Sequence, residues 1–228
     1  MVIRQILAIA GAVVAVPYIL RQVRKPTRWV GRFFVWTMNQ SHSALTDWGL
    51  AHVEIAKDAT ILDVGCGGGR TIQKLAQAAS AGRVVGVDYA VGSVEGSRAT
   101  NATAIRAGRV EIRQASVSQL PFAESTFDLV TAVETHYYWP DLPGDVREIL
   151  RVTKPGGALV VIAEAYKGTR MDLVQRPAMA LLRAKLMSAE EHRRWFQDAG
   201  LVQVQVFEEK GHGWICVTGK KAPDPGRE

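Results

Sequence analysis

Ile61-Leu62-Asp63-Val64-Gly65-Cys66-Gly67-Gly68-Gly69-Arg70 decides the fold. Its first four residues are a short apolar strand that runs directly into a glycine-rich turn. The following Thr71-Ile72-Gln73-Lys74-Leu75-Ala76 places Ile72, Leu75 and Ala76 at helical spacing. Strand, turn and helix make the first half of a nucleotide-binding βαβ unit. Glycine suits the turn because a residue without Cβ adopts positive φ and lets a ligand lie against the backbone. The helix start adds unpaired N–H groups and the positive end of a dipole.

The spacing bears on the ligand. A dinucleotide fingerprint, G-x-G-x-x-G, needs its third glycine where this chain has Arg70. Asp63, two residues ahead of the first glycine, would repel a pyrophosphate and suits a ligand with a cationic end. A second strand, Arg83-Val84-Val85-Gly86-Val87-Asp88, ends in an acid 21 residues after Gly67. An acid there can accept two hydrogen bonds from a ribose diol; capping of the helix at Ala90–Ala99 is its other use. Tyr89 follows with a ring that can pack on a base or ribose.

Val110 to Ala115 alternates as a third strand. The loop Ser116-Val117-Ser118-Gln119-Leu120-Pro121-Phe122 leads to a fourth, opened by Phe127-Asp128-Leu129-Val130, which emerges at Glu134-Thr135-His136-Tyr137-Tyr138-Trp139. Asp145–Val152 is an amphipathic helix, and Lys154-Pro155-Gly156-Gly157 turns it into the strand Ala158–Ala163. Glu164 to about Ala199 is expected to be helical and basic, broken at Pro177, with a capping box at Ser188-Ala189-Glu190-Glu191. Val202–Phe207 and Trp214–Gly219 then read as an antiparallel hairpin.

These stretches, in this order, resemble the class I S-adenosylmethionine-dependent methyltransferases. The form D-x-G-x-G-x-G at Asp63–Gly69, the Leu-Pro-Phe loop ahead of Phe-Asp-Leu-Val, and Arg-Val-x-Lys-Pro-Gly-Gly at 151–157 carry the resemblance. It spans residues ~38–219 and is closest to the small-molecule, ubiquinone/menaquinone-biosynthesis-like type. It implies an α/β Rossmann-like three-layer sandwich with a mostly parallel seven-stranded sheet and a C-terminal antiparallel hairpin. The implied cofactor is S-adenosyl-L-methionine, and the implied reaction is in-line transfer of its methyl to a small, lipophilic acceptor. By position, Asp63, Gly65, Cys66 and Gly67 would hold the methionine end, with Glu134 meeting its amino group. Asp88 would hold the ribose, and Tyr89, Ser116 and Val117 the adenine. The family usually has Asp where this chain has Ser116, so the adenine contact loses its charge. His136 is the first candidate for a general base, because its ordinary pKa is near neutrality; Tyr137 and His42 come after it. A non-catalytic cofactor-binding scaffold and a nicotinamide oxidoreductase are the alternatives.

The chain has 228 residues, 47% of them hydrophobic and 22% charged, which suits one α/β domain with an extension. Its net charge of +6 belongs to residues 1–40, which hold six basic residues and no acid. The remainder is neutral, which argues against a nucleic-acid partner. Cys66 and Cys216 have neither pairing nor metal-ligand spacing, so no metal site is expected. The organisation expected is an extension at 1–37, a cofactor-binding domain at 38–219 and a tail at 220–228. Ile6–Leu20 is an uncharged run of 15 residues, roughly 22 Å of helix against a hydrocarbon core of ~30 Å. With Arg21, Arg24, Lys25, Arg28 and Arg32 interleaved among Trp29, Phe33, Phe34 and Trp36, residues 1–36 are expected to contact a membrane surface. Packing on the domain or on a second subunit is the other reading. The expected location is cytoplasmic, at the membrane's inner face if the extension binds there. Asn39, His42 and Trp48 are candidates to close the cofactor cleft.

Overall fold

Parallel strands buried on both faces need unbroken apolar runs rather than alternation, and Thr60-Ile61-Leu62-Asp63-Val64 and Arg83-Val84-Val85-Gly86-Val87-Asp88 supply two of them. A computed structural model of the chain describes residues 43–169, 179–181 and 184–223. The N-terminal extension, with Asn39 and His42, and the break at Pro177 lie outside the described residues. After helix α1 (Ser43–Leu50) come β1 (Thr60–Val64), α2 (Arg70–Ala78), β2 (Arg83–Asp88), α3 (Val91–Thr100), α4 (Ala102–Arg106) and β3 (Val110–Gln114). The second half holds β4 (Phe127–Val133), a 3₁₀ turn at His136–Tyr138, α5 (Leu142–Val152), β5 (Thr153–Ala163), α6 (Ala189–Asp198), β6 (Leu201–Glu209) and β7 (Trp214–Lys221).

The seven strands form one sheet in the order β3-β2-β1-β4-β5-β7-β6. The first five are mutually parallel, and β7 enters antiparallel between β5 and β6. Successive residues of the central strands face opposite layers. Leu62, Val64, Val130, Leu159 and Val161 join Val146 and Ile149 of α5 and Trp195 and Phe196 of α6 in one core. Ile61, Val84, Leu129, Val160 and Ile162 join Leu45 of α1, Ile72 and Leu75 of α2 and Val94 of α3 in the other. A three-layer sandwich with a C-terminal hairpin is therefore what forms.

Two expectations need correction. Strand β5 starts at Thr153, not Ala158, and Lys154–Gly157 lies within it. The pairing jumps from Phe127↔Thr153 to Leu129↔Ala158, so these four residues bulge out of the ladder. Gly156 stands at φ 76° in that bulge. Arg151 just ahead serves as a brace. Its guanidinium donates to the carbonyls of Leu120 (3.0 Å) and Phe122 (2.9 Å) and to Glu148. It thus fastens the Leu-Pro-Phe loop to α5.

The second correction concerns Glu164–Ala199. Residues 164–169 and 184–188 are not helical. The Lys167 N–H donates to the Met187 carbonyl, and the Lys185 N–H to that of Tyr137. Those backbone groups are thus spent on strand-like and tertiary bonds, so that among the described residues of this stretch only 179–181 and α6 are helical. Its capping box is present: the Ser188 Oγ accepts the Glu191 N–H at 3.1 Å, and the Glu191 carboxylate accepts the Ser188 N–H. Ser188→Ala is expected to lower stability by about 1 kcal/mol, read as a lower urea midpoint with an unchanged slope.

Candidate functional site

The register brings the singled-out residues of β1, β2 and β4 to one end of the sheet. Asp63 lies opposite Gly86 on one side and Thr131 on the other, and Asp88 lies opposite Gln114. Open α/β sheets bind ligands at the carboxyl ends of their strands, and the order β3-β2-β1-β4 sets four such ends side by side.

The glycine turn is built on positive φ at Gly65 (74°), Gly67 (50°) and Gly69 (82°). The N–H groups of Gly65 and Cys66 both donate to the Val87 carbonyl, at 2.8 and 2.9 Å, pinning the turn's entry to β2. Its exit is pinned by Asn101, whose amide donates to the Gly69 carbonyl at 3.0 Å. The three glycines differ in what surrounds them. A Cβ on Gly65 would sit 2.2 Å from the Thr135 Oγ1, and one on Gly69 2.4 Å from the Asn101 Nδ2. A Cβ on Gly67 would meet nothing within 4 Å. Gly65 and Gly69 are therefore glycine for the protein's own packing, while Gly67 edges an open cradle.

Two buried carboxylates flank that cradle. Asp63 is 2% exposed, and its Oδ1 accepts the Thr131 hydroxyl at 2.6 Å. Burial pushes its pKa up to about 7, against the hydrogen bond from Thr131 and with help from the charge of Asp88. Asp88 divides its oxygens. Oδ2 accepts the Gly67 N–H at 3.0 Å and Oδ1 the Ala90 N–H at 2.8 Å, so it holds the glycine turn and opens α3 at once. Burial raises its pKa also, with those two backbone N–H groups working against the rise. Two acids at the edge of a glycine cradle are a poor host for a diphosphate and a good one for a cationic nucleoside.

The other candidates are placed as follows. Tyr89 is 46% exposed beside Asp88. Ser116 is exposed, its Oγ accepting the Ser118 N–H at 3.2 Å, and Val117 is buried in the first core. The Cys66 side chain turns away from the cradle into the second core, 3.8 Å from the Ser97 hydroxyl, and burial pushes its thiol well up. Only its backbone is available to a ligand. Glu134 follows β4 directly and stands in the left-handed region, at φ 56°, a conformation a non-glycine residue holds only where its surroundings enforce it. The enforcing contacts are the Tyr137 hydroxyl, donating to its Oε1 at 3.1 Å, and the Glu164 N–H on the same oxygen.

Tyr137 needs correction as a general base. It is 2% exposed, and its hydroxyl, besides donating to Glu134, accepts the Ala165 N–H at 3.1 Å. Burial and the neighbouring Glu134 push its pKa well up. It ties the ends of β4 and β5 together instead. Trp48 is half-buried against Trp214 and His52, on the β5–β7 side of the sheet.

His136 is fully buried and meets a residue with no sequence signal to announce it. Its Nε2 lies 3.1 Å from the Nε2 of His192 on α6, and the His192 Nδ1 lies 2.8 Å from the Ser188 carbonyl. Burial, and then His192, holds the His136 pKa well below its ordinary value; burial lowers that of His192 to about 4. Both rings are thus neutral near pH 7. Thr131, Asn101, Thr135 and His192 are the residues that sequence reasoning missed. Thr131 alone had a trace, since the alternation of β4 sets it beside the strand that bears Asp63. Among the described residues no group of His, Cys, Asp and Glu could hold a metal ion, and no helix is long and apolar enough to cross a membrane.

The chain and its fold have counterparts among known proteins. Residues 62–161 match the family model described as a methyltransferase domain. A demethylmenaquinone methyltransferase of Symbiobacterium thermophilum is 37% identical over 47% of this chain and 43% of its own length. The 27-O-demethylrifamycin SV methyltransferase of Amycolatopsis mediterranei is 25% identical over 72% of this chain and 62% of its own length. The chain thus spans about half the length of these curated relatives. Among solved structures, a methyltransferase from Aquifex aeolicus superposes with a TM-score of 0.67 at 20% identity, covering 83% of this chain and 97% of that one.

Proposed function

We propose that the chain is a class I S-adenosylmethionine-dependent methyltransferase, a reading supported by the match of residues 62–161 to a family model described as a methyltransferase domain, and that it transfers a methyl group to a small, lipophilic acceptor. The observation that carries the reading is the open cradle at Gly67 between two buried acids. Asp63 and Glu134 would face the ammonium of the methionine end, and the backbone of Gly65–Gly67 would lie against it. Asp88 would receive the ribose diol, and Tyr89, Ser116 and Val117 would border the adenine. When bound, S-adenosylmethionine supplies an electrophilic methyl on its sulfonium.

What the chain's own residues contribute is alignment. Holding two reactants in line supplies several kcal/mol without a proton transfer. Glu134, held by the Tyr137 hydroxyl and the Glu164 N–H, would be fixed in place to meet the ammonium. His136 is a neutral imidazole, buried against His192, whose lowered pKa makes it a weak proton acceptor. The acceptor class follows the named relatives, which act on a menaquinone precursor and a rifamycin, and the aromatic residues clustered after β4 suit an apolar body.

For residues 1–36 we propose contact with the cytoplasmic face of a membrane, because cationic and aromatic residues alternate after an apolar run. Removal of residues 1–35 should then lower activity on lipophilic acceptors and spare polar ones; full activity on both would contradict it.

The test of the enzyme reading is methyl-labelled S-adenosylmethionine incubated with the full chain and a cell-extract metabolite pool. Label is expected in an organic-extractable small molecule. Tight binding of the donor with no transfer would leave a cofactor-binding scaffold in its place.

A further inference from the structure

His136 and His192 meet where the turn after β4 touches the first turn of α6. Their Nε2 atoms stand 3.1 Å apart, in a contact that spans 56 residues of sequence. Both residues are fully buried. Two imidazoles joined nitrogen to nitrogen share one proton, so only some protonation states make the contact a hydrogen bond. The Ser188 carbonyl can only accept, so the His192 Nδ1, 2.8 Å from it, carries a proton. The neutral His192 ring then has a bare Nε2, which accepts from the His136 Nε2–H.

Acid undoes this arrangement in two steps. Whichever ring takes the first proton, the His136 Nδ1 becomes an N–H if the contact is to survive. That nitrogen is buried without a hydrogen-bond partner, so the closed pair then holds a buried charge and an N–H with nothing to donate to. A second proton sets two N–H groups against each other, and the pair must part. The surroundings give a charge little support. His136 faces the rings of Tyr137, His192 and Trp195, and the Tyr137 hydroxyl is turned to Glu134. The charged groups that act on His192 are Glu191 and Lys167, which pair with each other. Lys185 lies across the turn, on the carbonyls of Trp139 and Pro140. Burial therefore governs both rings, holding His136 well below its ordinary 6.5 and His192 at about 4.

What the pair fastens is a strap. Residues 184–188 run into α6 beside the β4 turn, where the Lys185 N–H donates to the Tyr137 carbonyl at 3.0 Å. Ser188, whose carbonyl holds the His192 Nδ1, is also the N-cap of α6. One turn farther on, the Trp195 Nε1 donates to the Leu142 carbonyl at 3.4 Å. The β4 turn starts two residues after Glu134, at the end of the sheet where the cradle lies.

We propose that the His136–His192 pair is an acid-released latch, which closes the strap and the first turn of α6 onto the β4 turn while both rings are neutral. Its release frees this segment locally, while the central strands stay paired through their own ladders. With the strap open both histidines regain ordinary pKa values, so the closed form binds fewer protons below about pH 6.5. The stability it lends is therefore full above that pH and is lost as pH falls toward 4. The latch does not depend on what the cradle binds.

The test is hydrogen exchange of the full chain, read by mass spectrometry at about pH 7.5 and pH 5 and corrected for intrinsic rates. The opening constant for the amides of residues 188–196 should rise about 30-fold on acidification through His192 alone, and further through His136. The amides of β1 should stay better protected than these at both pH values. A chain carrying both His136→Gln and His192→Gln has no proton to take up here, so its ratio should be close to one. Opening of 188–196 that ignores pH, opening in step with β1 at both pH values, or a rise that survives in the folded double variant overturns the latch. If the double variant does not fold, the wild-type comparison of 188–196 with β1 decides.

Discussion

Asp63→Asn is expected to make the ligand-free protein more stable at pH 8 while weakening its hold on S-adenosylhomocysteine. The Asp63 carboxyl is 2% exposed and titrates at about 7 when folded, against an ordinary 3.8. Between those two pH values the folded chain keeps a proton that the unfolded chain has lost. Stability from this group therefore falls as pH rises through that window, and the loss is complete above about pH 7. It is worth on the order of 4 kcal/mol. Asparagine keeps an oxygen for the Thr131 hydroxyl and carries no charge to desolvate. The urea midpoint of the wild type should thus drop between pH 5 and pH 8 relative to that of the variant.

Ligand binding runs the other way. A cationic amino group facing Asp63 favours the ionised carboxylate, so affinity should rise by up to about tenfold per pH unit from pH 5 to pH 7 and then level off. The Asn variant should bind more weakly, with a flat profile. Parallel profiles for the two proteins would remove Asp63 from the ligand site.

The glycine turn yields the second large effect, through a contrast of two methyl groups. Gly65→Ala puts a Cβ 2.2 Å from the Oγ1 of the stiff, β-branched Thr135 at a residue with φ 74°. Strain and overpacking together should cost on the order of 2–5 kcal/mol. Gly67→Ala stands at φ 50° with nothing within 4 Å, so it should cost only about 1–2 kcal/mol. Its methyl projects into the cradle, however, and should weaken S-adenosylhomocysteine by roughly 100-fold, or close to 3 kcal/mol. Gly65→Ala damages the fold first; Gly67→Ala damages binding in a protein that still melts cooperatively. Unaltered binding by a folded Gly67→Ala protein would place the ligand elsewhere.

What could be read from the sequence followed from local physics. The turn at 65–69 was visible because positive φ demands glycine, and Asp88 because a βαβ unit fixes where its second strand ends. The strands of the central sheet announced themselves as apolar runs. Lys154–Gly157 misled because Pro-Gly-Gly has turn chemistry whether it stands before a strand or bulges out within one. Residues 164–169 and 184–188 look helical by composition, yet Lys167 and Lys185 give their N–H groups to Met187 and Tyr137, contacts no local pattern encodes. The site divides the same way. Asp63 and the glycines lie within seven residues of each other, whereas His136 meets His192 across 56 residues. Tyr137 was legible as a polar residue at a strand end, but its engagement by Glu134 and Ala165 depends on how β4 and β5 align. Cys66 stood in the motif, and only the packing of α3 shows its thiol facing inward.

Calorimetry of the wild-type chain at pH 8 with S-adenosylhomocysteine and with NAD is the most direct measurement of the central claim. One equivalent of S-adenosylhomocysteine should bind while NAD gives no heat. NAD binding in place of S-adenosylhomocysteine, or silence with both, would contradict a cleft made for a cationic nucleoside.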